Sequence, residues 1–189
     1  MRLVWRMEIG RLDPSRLVFV DEIGTHTSLA SLYVYSPIGE RASFKIPRNR
    51  GKNTTLLTSI NQGGMGPSMA VEGATTSRVF ETYVKRLLAP TLRPGQVVVM
   101  DNLGAHRPRR IRELIEAKGC ELIYLPPYSP DFNPIEEALS KVKHLLRRSG
   151  ARTKEALIEA MGRALAAVSA GDVRGFFAHC GYRTPAHQL

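Results

Sequence analysis

The chain has 189 residues, 43% hydrophobic and 23% charged, which fits one globular domain with its own core and excludes a disordered or disulfide-stapled chain. Its 27 Lys plus Arg against 17 Asp plus Glu leave a formal charge of +10, spread over both halves, so a polyanionic partner should meet the folded body rather than a tail. Cys120 and Cys180 form no CxxC pair, and the opening segment is too charge-broken for a signal peptide or membrane span. These features point to a soluble, cytoplasmic protein with no membrane partner.

Residues 1–15 read as a lead-in. The run RLVFVD, 16–21, follows the turn signal Asp13-Pro14-Ser15 and reads as a buried strand that ends on an acid. LASLYVY (29–35) and ASFKI (42–46) flank a Pro/Gly turn and read as an antiparallel pair, and 56–60 is a further strand before the flexible NQGGMGP. From Thr75 to Leu88 the apolar period becomes helical, with Thr76 or Ser77 as cap and Pro90 as stop. A strand at 96–100 then ends on Asp101. A helix follows at 108–118, closed by Gly119, and a strand at 121–125.

The proline-broken PPYSPDFNP cannot be helix or central strand and forms a rigid loop, in which Tyr128 and Phe132 either pack the loop, the expected role, or face DNA. Asn133 then sits where an N-cap belongs, with Pro134 at the first helical position, and Ile135, Leu139, Val142 and Leu146 make an apolar stripe. Residues 150–189 form a helical extension. Strands, helix, strand, helix, strand, helices is the order of a mixed α/β sheet, an antiparallel meander followed by crossover units. A right-handed crossover through the 75–88 helix sets the strand at 96–100 beside the one at 16–21, so that their terminal acids become neighbours.

Two carboxylates side by side repel unless a cation lies between them. A hard divalent ion such as Mg²⁺ or Mn²⁺ resolves the conflict, and a pair of such ions suits in-line phosphoryl displacement. Each acid also has a structural reading: Asp21 and Asp101 as turn or cap residues, and Glu136 as the N3 residue of a capping box on Asn133. Helical geometry puts Glu136 with Lys143 and Arg147 beside the apolar stripe, and Glu137 on the outer face with Lys141. Glu22, next to Asp21, points to the opposite side by strand alternation.

VFVDE, MDN with His106 four residues after Asn102, and LPPYSPDFNPIEE with 34 residues between Asp101 and Glu136 resemble the catalytic domain of DDE transposases, in the mariner-related branch of bacterial insertion-sequence transposases. The resemblance covers about 17–148. It implies an RNase H-like fold with a mixed five-stranded sheet flanked by helices, a single catalytic domain over 1–189, and two Mg²⁺ or Mn²⁺ ions held by a triad of Asp21, Asp101 and Glu136. Glu22, Asn102, His106 and Glu137 are then supporting residues. Phosphate contacts are expected from Arg107, Arg109, Arg110, Lys141, Lys143, Arg147 and Arg148, and from Arg48, Arg50 and Lys52.

The implied partners are double-stranded DNA, as element ends and as a target with a TA dinucleotide, and a second copy in a dimer on that DNA, at the bacterial nucleoid. Full-length relatives carry helix-turn-helix domains ahead of this region; their absence here predicts a separately translated DNA-binding half, a truncated form or a decayed copy. Ile23-Gly24 stands where many relatives have Thr and an aromatic. The expected function is metal-dependent DNA strand cleavage and transfer. The alternatives are a non-catalytic DNA-binding remnant and a stand-alone RNase H-like nuclease.

Overall fold

The computed structural model describes residues 2–9, 12–33, 35–43, 46, 51–102 and 108–183. Its centre is a mixed sheet built on β1 (Leu17–Thr25), which pairs antiparallel with β2 (Thr54–Asn61) on one side and parallel with β5 (Val97–Met100) on the other. β5 pairs parallel with β6 (Glu121–Tyr124), while the short β3 (Gly64–Met65) and β4 (Met69–Glu72) both pair antiparallel with β2. Among the described residues the sheet therefore has six strands, one more than expected, in the order β3-β2-β1-β5-β6 with β4 beside β2.

Alternation along the strands decides which helices cover which face. Leu17, Phe19, Ile23, Val97 and Val99 face α4 (Pro134–Ser149), α5 (Lys154–Ala166) and α6 (Ala170–His179) in one apolar cluster. Val18, Val20, Val98, Met100 and Leu122 face α2 (Ser77–Tyr83) and α3 (Arg109–Glu116) in the other. Because β1 and β5 are covered on both sides, their runs are continuously apolar rather than alternating.

The crossover expected between β1 and β5 is present. Thr76 is the cap: its Oγ1 accepts from Val79 N, and α2 runs on through a π-helical turn, Val84–Leu88, to a 3-10 turn at Ala89–Thr91. The expected stripe of α4 is buried throughout, Ile135, Leu139, Val142 and Leu146 each at 3% exposure or less. Gly150 ends α4 in the left-handed conformation, φ 61°, that only glycine adopts without cost. Thr153 caps α5, and Ser169 with Asp172 forms a capping box on α6.

Three expectations are corrected. β1 does not end on Asp21 but continues four residues to Thr25, because β2 keeps pairing it (Asp21↔Thr58 to Thr25↔Thr54) after its parallel partner stops at Met100. No described residue of 29–35 or 42–46 lies in a strand. Leu32, Tyr33, Tyr35 and Ile46 are exposed there, so these described apolar residues pack against no second layer. The glycine-rich segment after β2 is an ordered hairpin into β3, with Ile60 opposite Met65. The lead-in contains α1 (Arg2–Ile9), whose Trp5 and Ile9 join the core.

Candidate active site

Val20 and Met100 are the last register partners of β1 and β5, so Asp21 and Asp101 are the next residue on each of two parallel neighbours, strands that lie about 4.8 Å apart. Both occupy odd positions and share the α4 side with Phe19 and Val99. The end of β6 is tied to the end of β5 by Leu125 N donating to Met100 O at 2.8 Å. The PPYSPDFNP loop that follows therefore passes beside Asp101 before entering α4. Asp101, Asn102, Asn133 and Glu136 line one cleft with this loop.

Asp21 is 7% exposed and held at both oxygens: Glu22 N donates to Oδ1 at 2.7 Å, and the Asn133 amide Nδ2 donates to Oδ2 at 2.9 Å. Asn133 occupies the N-cap position of α4, as expected, but its side chain makes no cap bond. The capping box with Glu136 does not form either; Glu136 contributes only its backbone N–H, to Asn133 O at 3.0 Å. Glu136 is exposed and opens onto a second groove, lined by Glu22, Ser140, Lys143 and Arg147. Asn133 Oδ1, the other end of the amide that holds Asp21, is buried without a hydrogen-bond partner.

The neighbouring acid has other company. Glu137 pairs with His179 Nδ1 on α6 at 2.5 Å, and the carboxylate raises the imidazole pKa. Cys180, packed against the same carboxylate, has its thiol pushed up to about 12, first by burial and then by the Glu137 charge. Lys141, on that flank of α4, bonds Asp172 at 2.5 Å, and the ammonium is the first cause that lowers the Asp172 carboxyl to about 2.

Among the expected phosphate contacts, Arg109 and Arg110 both reach Glu113, and Arg110 also approaches Glu81. Lys52 shares Glu72 with Lys154, which together lower that carboxyl to about 2. Lys143 and Arg147 line the groove with Glu136, and Arg148 follows on the exposed side of α4. Arg48, Arg50, His106 and Arg107 lie outside the described residues.

One contribution was not legible in the sequence. Arg2 on α1 donates to Tyr128 O at 2.9 Å and to Ser129 Oγ at 3.0 Å, and pairs with Asp131 at 2.5 Å, which lowers the Asp131 carboxyl. The Arg2 and Arg6 guanidinium groups stack over Phe132 at 4.6 and 4.9 Å. Phe132 packs as expected, but Tyr128 does not: it is 96% exposed, at the only positive φ of a non-glycine described residue, 55°. α1 thus clamps the loop that delivers Asn133 and Glu136. The signal was two arginines one helical turn apart, with nothing in the local sequence to say where they reach.

Three carboxylates supply hard oxygen donors of the kind Mg²⁺ and Mn²⁺ take. Among the described residues no three His, Cys, Asp or Glu side chains lie close enough together to hold an ion. The donor types suit a divalent metal, but the side chains are not gathered around one point: Asp21 is bonded to Asn133, and Glu136 is exposed.

A mixed sheet of this order, with its helices on both faces, is an RNase H-like fold. The chain belongs to the DDE superfamily endonuclease family, which matches residues 16–158. It is similar to the transposable element Tcb1 transposase of Caenorhabditis briggsae, 24% identical over 144 residues, which covers 70% of this chain and 53% of that protein.

Among solved structures, the Mos1 transposase paired-end complex with left transposon end superposes with TM-score 0.76 at 17% identity, over 96% of this chain and 57% of that one. The Mos1 mariner paired-end complex with Mn gives 0.72 at 19% identity, over 96% and 57%. The chain spans about half the length of the relatives it matches. No helix among the described residues is long and apolar enough to cross a membrane.

Proposed function

We propose that this chain is the catalytic domain of a transposase of the mariner-related branch, and that it cuts DNA at the ends of an insertion sequence and joins the freed 3′-hydroxyl to target DNA. The observation that supports the reading is the register of β1 and β5, in which Asp21 and Asp101 follow the paired Val20 and Met100, together with the cleft that Asp101 shares with Glu136. Family membership and a fold shared with Mos1 complexes that contain transposon-end DNA or Mn support it.

Asp21, Asp101 and Glu136 would hold the divalent ions, two per site by the resemblance. Bound there, Mg²⁺ or Mn²⁺ supplies Lewis-acid activation of the attacking oxygen and charge stabilisation of the leaving one. The chain's own residues do the rest. Asn133 fixes the rotamer of Asp21, and the Arg2 clamp fixes the loop between Asp101 and Glu136. Lys143 and Arg147 present cations to a phosphate backbone beside Glu136. A dimer on DNA, a separate end-binding half and a TA target belong to the same proposal.

Labelled duplex carrying the element ends, incubated with the chain, any end-binding partner and Mn²⁺ or Mg²⁺, tests it. Asp101→Asn should abolish strand cleavage and leave DNA binding nearly intact. Cleavage retained by that variant overturns the assignment. Binding without metal-dependent cleavage by the wild type favours the non-catalytic remnant, and preferential cleavage of RNA:DNA hybrids favours a stand-alone nuclease.

A further inference from the structure

Beyond the groove that contains Glu136, Arg147 also lines a third one, of about 500 Å³, with Leu32, Tyr33, Tyr35, His144 and Arg148. Glu136, Ser140, Lys143 and Arg147 recur at i, i+4, i+7 and i+11, a single stripe along α4 that joins the carboxylates to this surface. Tyr33 and Tyr35 are 86% and 103% exposed, and Leu32 beside them is 67% exposed. The segment is anchored at its base, where Arg152 Nη1, just past α4, donates to Thr27 O at 3.0 Å and Leu29 O at 2.9 Å. The base of the segment is thus held next to α4, and Tyr33 and Tyr35 line the groove together with Arg147 and Arg148.

We infer that this groove is a nucleotide subsite: a DNA strand running from the carboxylates along α4 sets an unpaired base on Tyr33 and Tyr35 while Arg147 and Arg148 hold its phosphates. The inference rests on the reading of the chain as a DNA-acting domain. Aromatic faces beside cations are the combination by which proteins bind unpaired strands, since every base has a π-face and every nucleotide a phosphate. A base-paired duplex buries its base faces and cannot cover the rings. A second copy of this chain is disfavoured, because the groove is cationic, no Asp or Glu among the described residues lines it, and the whole chain carries +10. From Glu136 to Arg147 α4 rises about 16 Å, at 1.5 Å per residue. At a strand spacing of about 3.4 Å per nucleotide, the stacked base lies about five nucleotides from the carboxylates.

Fluorescence anisotropy with the 189-residue chain, in EDTA so that cleavage plays no part, tests this with two probes: a blunt duplex and the same duplex with an unpaired extension of about six nucleotides. The wild type should bind the extended probe more tightly. Tyr33→Ala with Tyr35→Ala should weaken that probe about ten-fold or more and leave the blunt duplex unchanged. Tyr33→Phe with Tyr35→Phe should retain wild-type binding. Arg148→Ala should reduce the salt slope on the extended probe by about one. Because both rings are exposed, an unaltered melting temperature accompanies these variants.

Equal weakening of both probes, or of neither, overturns the subsite. So does a change of oligomeric state in sedimentation without a change in DNA affinity, which would give the surface to a second copy. Binding of neither probe by the wild type overturns the DNA-acting reading itself, and the subsite with it.

Discussion

Asn133 Nδ2 donates to Asp21 Oδ2 at 2.9 Å across 112 residues of sequence, and this bond joins the start of α4 to the middle of β1. Asp21 is 7% exposed and Asn133 3%, so little water is at hand to replace either partner. Asn133→Ala leaves a buried carboxylate oxygen without its donor and should cost about 1 to 3 kcal/mol. Asn133→Asp should cost more, because two carboxylates then meet at hydrogen-bond distance and one pKa rises above its unfolded value. An acid whose pKa is raised on folding destabilises at neutral pH and ceases to do so as pH falls below the unfolded value, about 3.9. Urea unfolding of both variants in EDTA checks this, and Mn²⁺ should stabilise Asn133→Asp more than wild type. Wild-type stability in Asn133→Ala would leave the bond without energetic weight.

The same pair shows where local sequence rules stop. Asn-Pro-x-Glu is a sound helix-start signal, and the helix does start there, with Pro134 in its first turn. Which acceptor the asparagine side chain meets depends on β1, and no local rule sees that strand. The buried runs of β1 and β5, the strand β6, the apolar stripe of α4 and the Thr76 cap of α2 were legible because burial and capping act over a few residues. The 29–46 segment was not: its apolar residues suggest strands, yet a strand needs a partner layer, and Tyr33 and Tyr35 face outward. The opposite error arose at Gly63-Gly64, where glycine content suggested flexibility and a tight hairpin was the outcome.

Arg2 reaches the loop through two hydrogen bonds, an ion pair and a stack on Phe132, all at partly exposed positions. Exposed ion pairs and cation–π contacts are each worth up to about 1 kcal/mol, so Arg2→Ala should lower stability by about 1 to 2 kcal/mol. The sharper effect should be local. Amide hydrogen exchange at 128–133 should accelerate while the β1 and β5 amides stay protected; unchanged exchange in the loop would show that α1 does not hold it.

The Glu137–His179 pair gives the α4–α6 contact a pH dependence. The Glu137 carboxylate, through its hydrogen bond and then its charge, raises the His179 pKa on folding. A group with a raised folded pKa stabilises fully below its unfolded value, about 6.5, and the contribution disappears as pH rises through the folded value. Melting temperature should therefore fall slightly between about pH 6 and pH 9 in wild type, an effect kept small by exposure and screened by salt. His179→Asn should flatten this part of the profile. A profile unaltered by His179→Asn would assign it to other groups.

Tyr128 separates strain from function in the loop. Its φ of 55° lies in the region that bulky side chains avoid, and at 96% exposure the ring gains almost no packing to offset the cost. Tyr128→Gly relieves that strain but increases the freedom of the unfolded chain, and the two effects, each about 1 kcal/mol, nearly cancel. Tyr128→Pro has no such balance, because proline fixes φ near −65° and should disrupt the loop that carries Asn133 and Glu136. Thermal melts of the two variants should place glycine within about 0.5 kcal/mol of wild type and proline well below it. With folding intact, loss of DNA cleavage in Tyr128→Gly would assign the exposed ring, which lines the same cleft as Asp101, to contact with the substrate.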